Sequence, residues 1–289
     1  MQKAKPKRRI HPARRQRPPG LEYKMKELPI FDSKALETGR KLEGKIALIT
    51  GGDSGIGRAV AVAFARHGAS LAISHLPEEE EDALFTKSYV ESLGANCVLI
   101  PGDLSREAQC QRLVDKTVNQ FERIDILVNN AATHIPQEKI TEITSQQLRK
   151  IFETNFFSMF YIVQASLKHM KKGGSIINTT SVTAYRGSAH LLDYSATKGA
   201  VVSFTRSLAA ALVDKKIRVN AVAPGPVWTP LIVSTMSRKQ IATFGSDCPM
   251  GRAGEPAEIA PCFLFLASDD SSFITGQVLH PNGGEIVNG

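Results

Sequence analysis

From Gly44 onward, short apolar runs alternate with longer segments whose apolar positions recur at helical spacing. The runs predict strands at Ile46–Thr50, Ser70–Ser74, Asn96–Pro101, Asp125–Asn129, Gly174–Thr179, Ile217–Val222 and Gln277–His280. The segments between them predict helices over Gly55–His67, Pro77–Leu93, Glu107–Phe121, Gln146–Lys171, Tyr194–Lys215 and Pro256–Ala267. Strands separated by helix-sized stretches predict an α/β fold, a doubly wound and mostly parallel seven-stranded sheet with helices on both faces. No internal repeat is evident. The stretch 225–252 breaks the rhythm, with Trp228, three prolines and a weakly helical middle. It lies where an open sheet binds ligands, near the carboxyl ends of the strands, and reads as a substrate loop or lid. The plainer alternative is a surface excursion around a buried tryptophan.

The residues ahead of this pattern differ in composition. Residues 1–41 hold 13 Lys/Arg and 4 Asp/Glu, so the chain's net charge of +8 belongs to them and the rest is close to neutral. The stretch MQKAKPKRRIHPARRQRPPG has eight basic residues, four prolines and no acid. It is expected to be disordered or extended along the body's surface. A solubilising or docking extension is the favoured reading. A polyanion-binding arm and an organellar targeting peptide are the others. Leu28-Pro29-Ile30-Phe31 could pin it to the body. The organisation expected is therefore an extension over 1–41 and a single domain over 42–289, an ordinary size for one α/β unit. Cysteines 97, 110, 248 and 262 lie too far apart for a zinc knuckle or a disulfide scaffold. No apolar run is long enough to span a membrane and no apolar signal segment stands near the start. A soluble, cytoplasmic protein is the expectation.

The first strand runs into Gly51-Gly52-Asp53-Ser54-Gly55-Ile56-Gly57 and then into a helical pattern. Glycines let the chain turn tightly and approach a ligand. The helix behind them aims N–H groups and the positive end of its dipole at the crevice, which suits a dinucleotide pyrophosphate. A nucleoside-triphosphate loop is excluded, because no Gly-Lys-Ser/Thr follows. An Asp at the tip of the second strand would favour NAD. The chain has Ser74 and His75 there, so NAD or NADP stays open with a lean to NADP, although no Lys or Arg adjoins to hold a phosphate. Asp103, next to Leu104, could accept from an adenine amino group or cap the following helix. Asn129-Asn130-Ala131-Ala132, after the fourth strand, suits either the side of a flat ligand or a tight structural turn.

Tyr194 and Lys198, four apart at the start of a predicted helix, share a face. An ammonium near a phenol favours phenolate, so this spacing predicts a lowered tyrosine pKa and a group able to move a proton near neutrality. Ser181 ends the fifth strand, where its hydroxyl could hold a substrate oxygen or simply cap the strand. Asn155 falls inside a predicted helix, where Asn is unfavourable, which suggests a kink, a bound water or a side-chain task. Together the four allow a proton relay. The seven histidines form no metal-ligand spacing, and no metal is expected.

Taken together, these motifs resemble those of the short-chain dehydrogenase/reductase family over roughly residues 42–288. The glycine motif matches Thr50–Gly57. The family's Asn-Asn-Ala-Gly motif appears as Asn129–Ala132, with Ala132 in place of the usual glycine. The catalytic tetrad maps onto Asn155, Ser181, Tyr194 and Lys198, and the Pro-Gly-x-x-x-Thr segment maps onto Pro224–Thr229. Within the family the chain resembles a bacterial branch labelled as similar to glucose and ribitol dehydrogenases or to general stress proteins. The resemblance implies a Rossmann-type fold and NAD(P)-dependent interconversion of an alcohol and its carbonyl. It implies Tyr194 as acid or base, Lys198 on the nicotinamide ribose, Ser181 on the substrate oxygen and Asn155 on a relay water. It also implies that Val227 and Thr229, with Pro224 and Gly225, lie against the nicotinamide and phosphates. A homotetramer built partly from the helices carrying Asn155 and Tyr194 is implied as well. Two rivals remain: a 3-oxoacyl thioester reductase of fatty-acid synthesis, and a nucleotide-binding scaffold whose basic tail docks to nucleic acid or another polyanion.

Overall fold

The computed structural model describes residues 11–12, 14–32 and 39–287. Seven parallel strands form one sheet in the order β3-β2-β1-β4-β5-β6-β7. They are β1 Ile46–Thr50, β2 Ser70–His75, β3 Cys97–Pro101, β4 Ile124–Asn129, β5 Met170–Thr179, β6 Arg218–Val222 and β7 Val278–Leu279. The central β1 reads Ile-Ala-Leu-Ile-Thr and is buried throughout, because a parallel strand under helices on both faces has no wet side.

On one face, α1 (Gly55–Arg66), α2 (Glu80–Ser92) and α10 (Pro256–Ala267) bring Phe64, Val90 and Phe263 onto Ile49, Ile73 and Val128. On the other, α3 (Glu107–Phe121), α5 (Ser158–Ser166) and α7 (Leu192–Leu212) bring Leu113, Ile162 and Leu212 onto Leu48, Leu127 and Val219. Chain order reverses between β1 and β4. Their carboxyl ends therefore part to leave the crevice in which doubly wound sheets bind ligands.

The single helix expected over Gln146–Lys171 is not what forms. The Thr144 hydroxyl caps α4 (Ser145–Phe152) by accepting from the Gln147 N–H, and one π-helical turn at Glu153–Phe157 leads into α5. The chain then enters β5 at Met170. Met170 pairs with Ile124, but the next pair is Ser175 with Ile126, so the residues between bulge out of register. The bulge contains exposed Lys171 and Lys172, which is why an apolar pattern locates only the second half of the strand.

The stretch 225–252 folds into α8 (Pro230–Thr235) and α9 (Arg238–Ala242) over a satellite core of Trp228, Ile232, Val233, Ile241 and Met25. Met25 belongs to the N-terminal extension, which lies along this surface. The His11 ring stacks on Trp228 at 3.9 Å, and the Trp228 indole N–H donates to the Glu27 carbonyl at 3.0 Å. Backbone N–H groups of His11 and Gln16 donate to the carbonyls of Ala242 and Val233. Glu22 is buried against Arg58 of α1, and Asp82 of α2 pairs with the same guanidinium at 3.1 Å. In the Leu28–Phe31 quartet, Leu28 and Ile30 keep exposed side chains. Contact comes from buried Pro29, from Phe31 packed edge-on to Phe85 and Tyr89, and from the Ile30 backbone bonding Glu255 and Ala257. For residues 1–10, the expectation of a disordered or surface-extended leader lies outside the described residues.

Candidate active site

One cavity of about 1230 Å³ opens above the carboxyl ends of the strands. Gly51, Asp53, Ser54, Gly55 and Ile56 line it, as do Ser74, His75, Asp103, Leu104, Asn130 and Ala131. At the other end Ser181, Tyr194, Lys198, Pro224, Gly225, Val227 and Thr229 line it too. Of the residues expected from sequence, Gly57 and Asn155 alone stand behind the wall.

The glycine turn is built by close approach. A Cβ on Gly57 would lie 1.8 Å from the Gly51 carbonyl oxygen, so a larger residue cannot enter without moving backbone, and Gly51 itself has φ +60°. The Thr50 hydroxyl oxygen accepts from the backbone N–H groups of Asn130 and Ala131 at 2.9 and 3.0 Å. The Asn130 amide donates back to the carbonyls of Thr50 and Gly51. The Asn-Asn-Ala-Ala segment is therefore the stitch that holds the tip of β4 to the turn, while Asn130 and Ala131 still border the cavity. Asp103 does not cap α3. It accepts from the Ser105 N–H at 3.0 Å, and the residue at the start of α3 is Arg106.

An unexpected carboxylate stands at the first turn of α1. Glu22 Oε2 accepts from the Gly55 N–H at 2.7 Å, taking the capping place that the Ser54 side chain leaves open. Three acids, Glu22, Asp53 and Asp82, gather here around Arg58, with a fourth, Glu79, beside Asp53 and Asp82. Burial pushes Glu22 up to about 7, outweighing the lowering effect of Arg58 and the Gly55 N–H. Burial, with Asp53 alongside, pushes Glu79 up to about 8, and Asp53 is raised mainly by burial too. This end of the cavity thus carries less negative charge near neutrality than four carboxylates suggest. His75 donates from Nδ1 to the Leu76 carbonyl at 2.9 Å, since a carbonyl oxygen can only accept.

At the other end of the cavity, Tyr194 and Lys198 share a face of α7, with Lys198 Nζ 5.4 Å from the centre of the phenol ring. The ammonium donates to the Thr179 carbonyl at 2.8 Å and is almost fully buried. Thr183 bonds Ser181 Oγ through both its backbone N–H and its hydroxyl, and Ser181 lies close enough to Tyr194 to lower its pKa. The lowered tyrosine pKa expected from the spacing does not result. Burial pushes Tyr194 up to about 12 against the lowering by Ser181, and pushes Lys198 down to about 7. Desolvation outweighs the attraction between phenolate and ammonium because both groups lose water. The ring is only half-buried, and solvent reaching it through the cavity works against its rise. The phenol is the protonated form, able to donate.

Asn155 sits in the π-helical turn, in keeping with the kink expected of it. Its Oδ1 accepts from the Thr133 N–H and its Nδ2 donates to the Thr133 carbonyl, both at 2.8 Å. It also reaches the Thr197 hydroxyl at 3.3 Å. It therefore braces the segment after β4 against α7.

Several cavity residues have no sequence signal. His134 and Thr235 meet there from positions 101 residues apart, and only the fold joins them. Pro18, Pro19 and Gly20 of the extension line the wall as well. A Pro-Pro-Gly turn marks that place, but nothing in it predicts a position beside the cavity.

Residues 51–285 match the family described as Enoyl-(Acyl carrier protein) reductase. Over 93% of this chain and 96% of its own, NADPH-dependent aldehyde reductase 1, chloroplastic, of Arabidopsis thaliana is 52% identical. Glucose and ribitol dehydrogenase of Daucus carota is 48% identical over 96% of this chain and 97% of its own. The crystal structure of a short chain dehydrogenase from Burkholderia cenocepacia J2315 in complex with NADP superposes with a TM-score of 0.78 at 29% identity, covering 84% of this chain and 98% of that one.

Proposed function

The chain belongs to the short-chain dehydrogenase/reductase family, and on that premise we propose that it interconverts an alcohol and its carbonyl with a nicotinamide dinucleotide. The observation that carries this reading is the convergence of Ser181, Tyr194 and Lys198 at one end of the cavity whose other end is the glycine turn. A dinucleotide suits the residues present. A side chain at Gly57 would fill the turn, and α1 starts at the cavity wall beside Gly55 and Ile56.

When bound, the nicotinamide supplies or removes the hydride. Tyr194 gives its phenol proton to the carbonyl oxygen in reduction and takes it back in oxidation. The Ser181 hydroxyl orients that oxygen. Lys198 stands beside the phenol and offers N–H groups to a ribose. Asn155 fixes the backbone at Thr133, and the relay water assigned to it by resemblance is retained as part of the proposal. Pro224, Gly225, Val227 and Thr229 line the floor at the nicotinamide end.

NADP is the favoured dinucleotide. β2 ends without an acid, burial raises Glu79 just beyond it to about 8, and a relative at 52% identity is named for NADPH. Sugars, polyols and aldehydes are the favoured substrates, supported by the names of the two relatives. The 3-oxoacyl thioester reading is not the one these relatives favour, and the scaffold reading leaves the converging Ser181, Tyr194 and Lys198 without a task. A homotetramer, as the resemblance implies, is supported by Phe157 and Phe160, which stand 42% and 44% exposed just after Asn155 in sequence, with Phe160 against Phe204 of α7. Among the described residues no helix is long and apolar enough to cross a membrane. A cytoplasmic setting is in keeping with four free cysteines. Docking of the basic tail to a polyanion remains a secondary role.

The test is turnover of aldehydes and polyols followed at the reduced-nicotinamide absorbance, with both dinucleotides. Reduction of aldehydes with higher kcat/KM for NADPH is expected. Binding of dinucleotide with no turnover of any alcohol or carbonyl would overturn the enzyme reading.

A further inference from the structure

We propose that Glu22, carried by the N-terminal extension, is a positioning residue of the dinucleotide site. By accepting from the Gly55 N–H it fixes the peptide between Ser54 and Gly55 in the orientation that the glycine turn needs to receive a pyrophosphate. The inference rests on the dinucleotide reading above and adds to that site a part supplied from ahead of the strand, turn and helix.

The turn needs an outside hold at this peptide. Gly55 has φ +52°, and glycine moves between backbone regions at little cost. The peptide before it is therefore free to turn over unless both its polar groups are engaged. Turned over, it would give up the bond from the Arg58 N–H to the Ser54 carbonyl, 3.0 Å, that starts α1. It would also put a carbonyl oxygen where an N–H now stands, at the end of the helix that suits negative charge. The Ser54 side chain makes no capping bond that could prevent this.

Glu22 supplies the missing hold. Its Oε2 accepts from the Gly55 N–H at 2.7 Å, and its Oε1 pairs with the Arg58 guanidinium. Arg58 in turn donates to the Asp53 carbonyl at 2.9 Å, so one carboxylate fixes the turn on both sides of Ser54. Glu22 is 1% exposed and stands apart from the cavity lining, so it acts through the backbone and touches no ligand. Its charge is met by that of Arg58, which leaves the shape of the turn as its contribution.

The carboxylate is itself held in advance. The Gln16 side chain donates to the Leu21 carbonyl and accepts from the Leu21 N–H, both at 2.9 Å, which closes the bend just ahead of Glu22. The backbone N–H groups of Glu22 and Tyr23 donate to the two oxygens of Asp82 at 2.7 and 3.2 Å. Pro18, Pro19 and Gly20, within the bend, border the same cavity. The extension thus reaches the dinucleotide site at two places, the wall and the first turn of α1.

The test separates positioning from stability. Dissociation constants for NADPH and NADH are measured by calorimetry on the full-length chain, below its unfolding transition, for the wild type, Glu22→Ala, Glu22→Gln and Met25→Ala. Met25 holds the same extension to the Trp228 cluster without touching the turn, and its truncation lowers thermal stability by emptying a buried site. Glu22→Ala is expected to weaken binding about tenfold, the scale of a lost hydrogen bond to a charged group. Met25→Ala should stay within about twofold of the wild type, as for a distant and independent site. Glu22→Gln, whose amide oxygen can still accept from Gly55, should recover most of the affinity while remaining less stable. Unchanged or tighter binding by Glu22→Ala, equal weakening by Met25→Ala, or a Glu22→Gln chain as weak as Glu22→Ala overturns the inference and leaves the dinucleotide reading standing. A wild type that binds neither dinucleotide overturns that reading and the inference with it.

Discussion

Lys198 lies one helical turn beyond Tyr194, with its ammonium 5.4 Å from the centre of the phenol ring and 2.8 Å from the Thr179 carbonyl oxygen. The pair is held from three sides. Thr180 bonds the Lys198 carbonyl, Thr197 bonds the Tyr194 carbonyl, and Gln147 reaches Asp193 at the start of α7. This bracing sets the position of two groups that burial drives toward their neutral forms.

Tyr194→Phe removes the phenol hydroxyl, the proposed proton donor, and leaves the cavity's shape. Turnover on the best substrate should fall by about two to four orders of magnitude, the scale of a positioned proton transfer. Dinucleotide affinity, measured by calorimetry, should change little. Near-normal turnover would show that the proton comes from elsewhere.

Lys198 should leave a signature in stability against pH. Its folded value is lowered to about 7 from 10.5, so between these pH values the unfolded chain holds a proton that the folded chain has released. Stability therefore rises with pH across that window, and the penalty of the buried charge is fully present only below it. Denaturant unfolding of the wild type and of Lys198→Met should show the difference growing in favour of the wild type from pH 7 to 10, by up to about 1.4 kcal/mol per pH unit. A difference independent of pH would mean that the lysine is charged in both states.

Glu22→Ala leaves Arg58 buried with Asp82 as its remaining acid partner and uncaps the Gly55 N–H. A loss of about 3 kcal/mol is expected in urea unfolding, as for a buried pair that loses one member. Glu27→Ala, at an exposed position in the same segment, should stay within about 0.5 kcal/mol of wild type. Equal effects of the two would remove Glu22 from its place in the fold's stability.

Gly57→Ala sets a methyl against the Gly51 carbonyl, which is backbone and cannot swing aside. Stability should drop by about 1–3 kcal/mol, and dinucleotide binding should weaken as the turn is displaced. Gly199→Ala on α7 meets nothing within 4 Å and should stabilise by about 0.5–1 kcal/mol.

What could be read from the chain follows from the range of the forces involved. β1, the glycine turn and α1 are adjacent in sequence, so apolar period and glycine placement disclose them. The Tyr194–Lys198 pair is equally local. The break at Glu153–Phe157 is half legible. Asn155 advertises a departure from a regular helix, but the bulge that starts β5 at Met170 depends on pairing with Ile124, across the sheet. The tyrosine's raised pKa was out of reach because spacing shows the ammonium and not the loss of water around both groups. Glu22 with Asp82, and His134 with Thr235, come together only after the sheet has formed. Neither pair leaves a pattern in the sequence.

Gly20 packs so tightly on α8 that a Cβ there would lie 2.5 Å from the Pro230 carbonyl oxygen, while two residues later Glu22 reaches α1. The overhang beside Tyr194 and Lys198 is consequently anchored to the glycine turn through a segment that lies outside the sheet altogether. Its conformational freedom is surrendered once, when the chain folds, and not again at each encounter with a ligand. Such preorganisation favours tight association without a large ordering penalty.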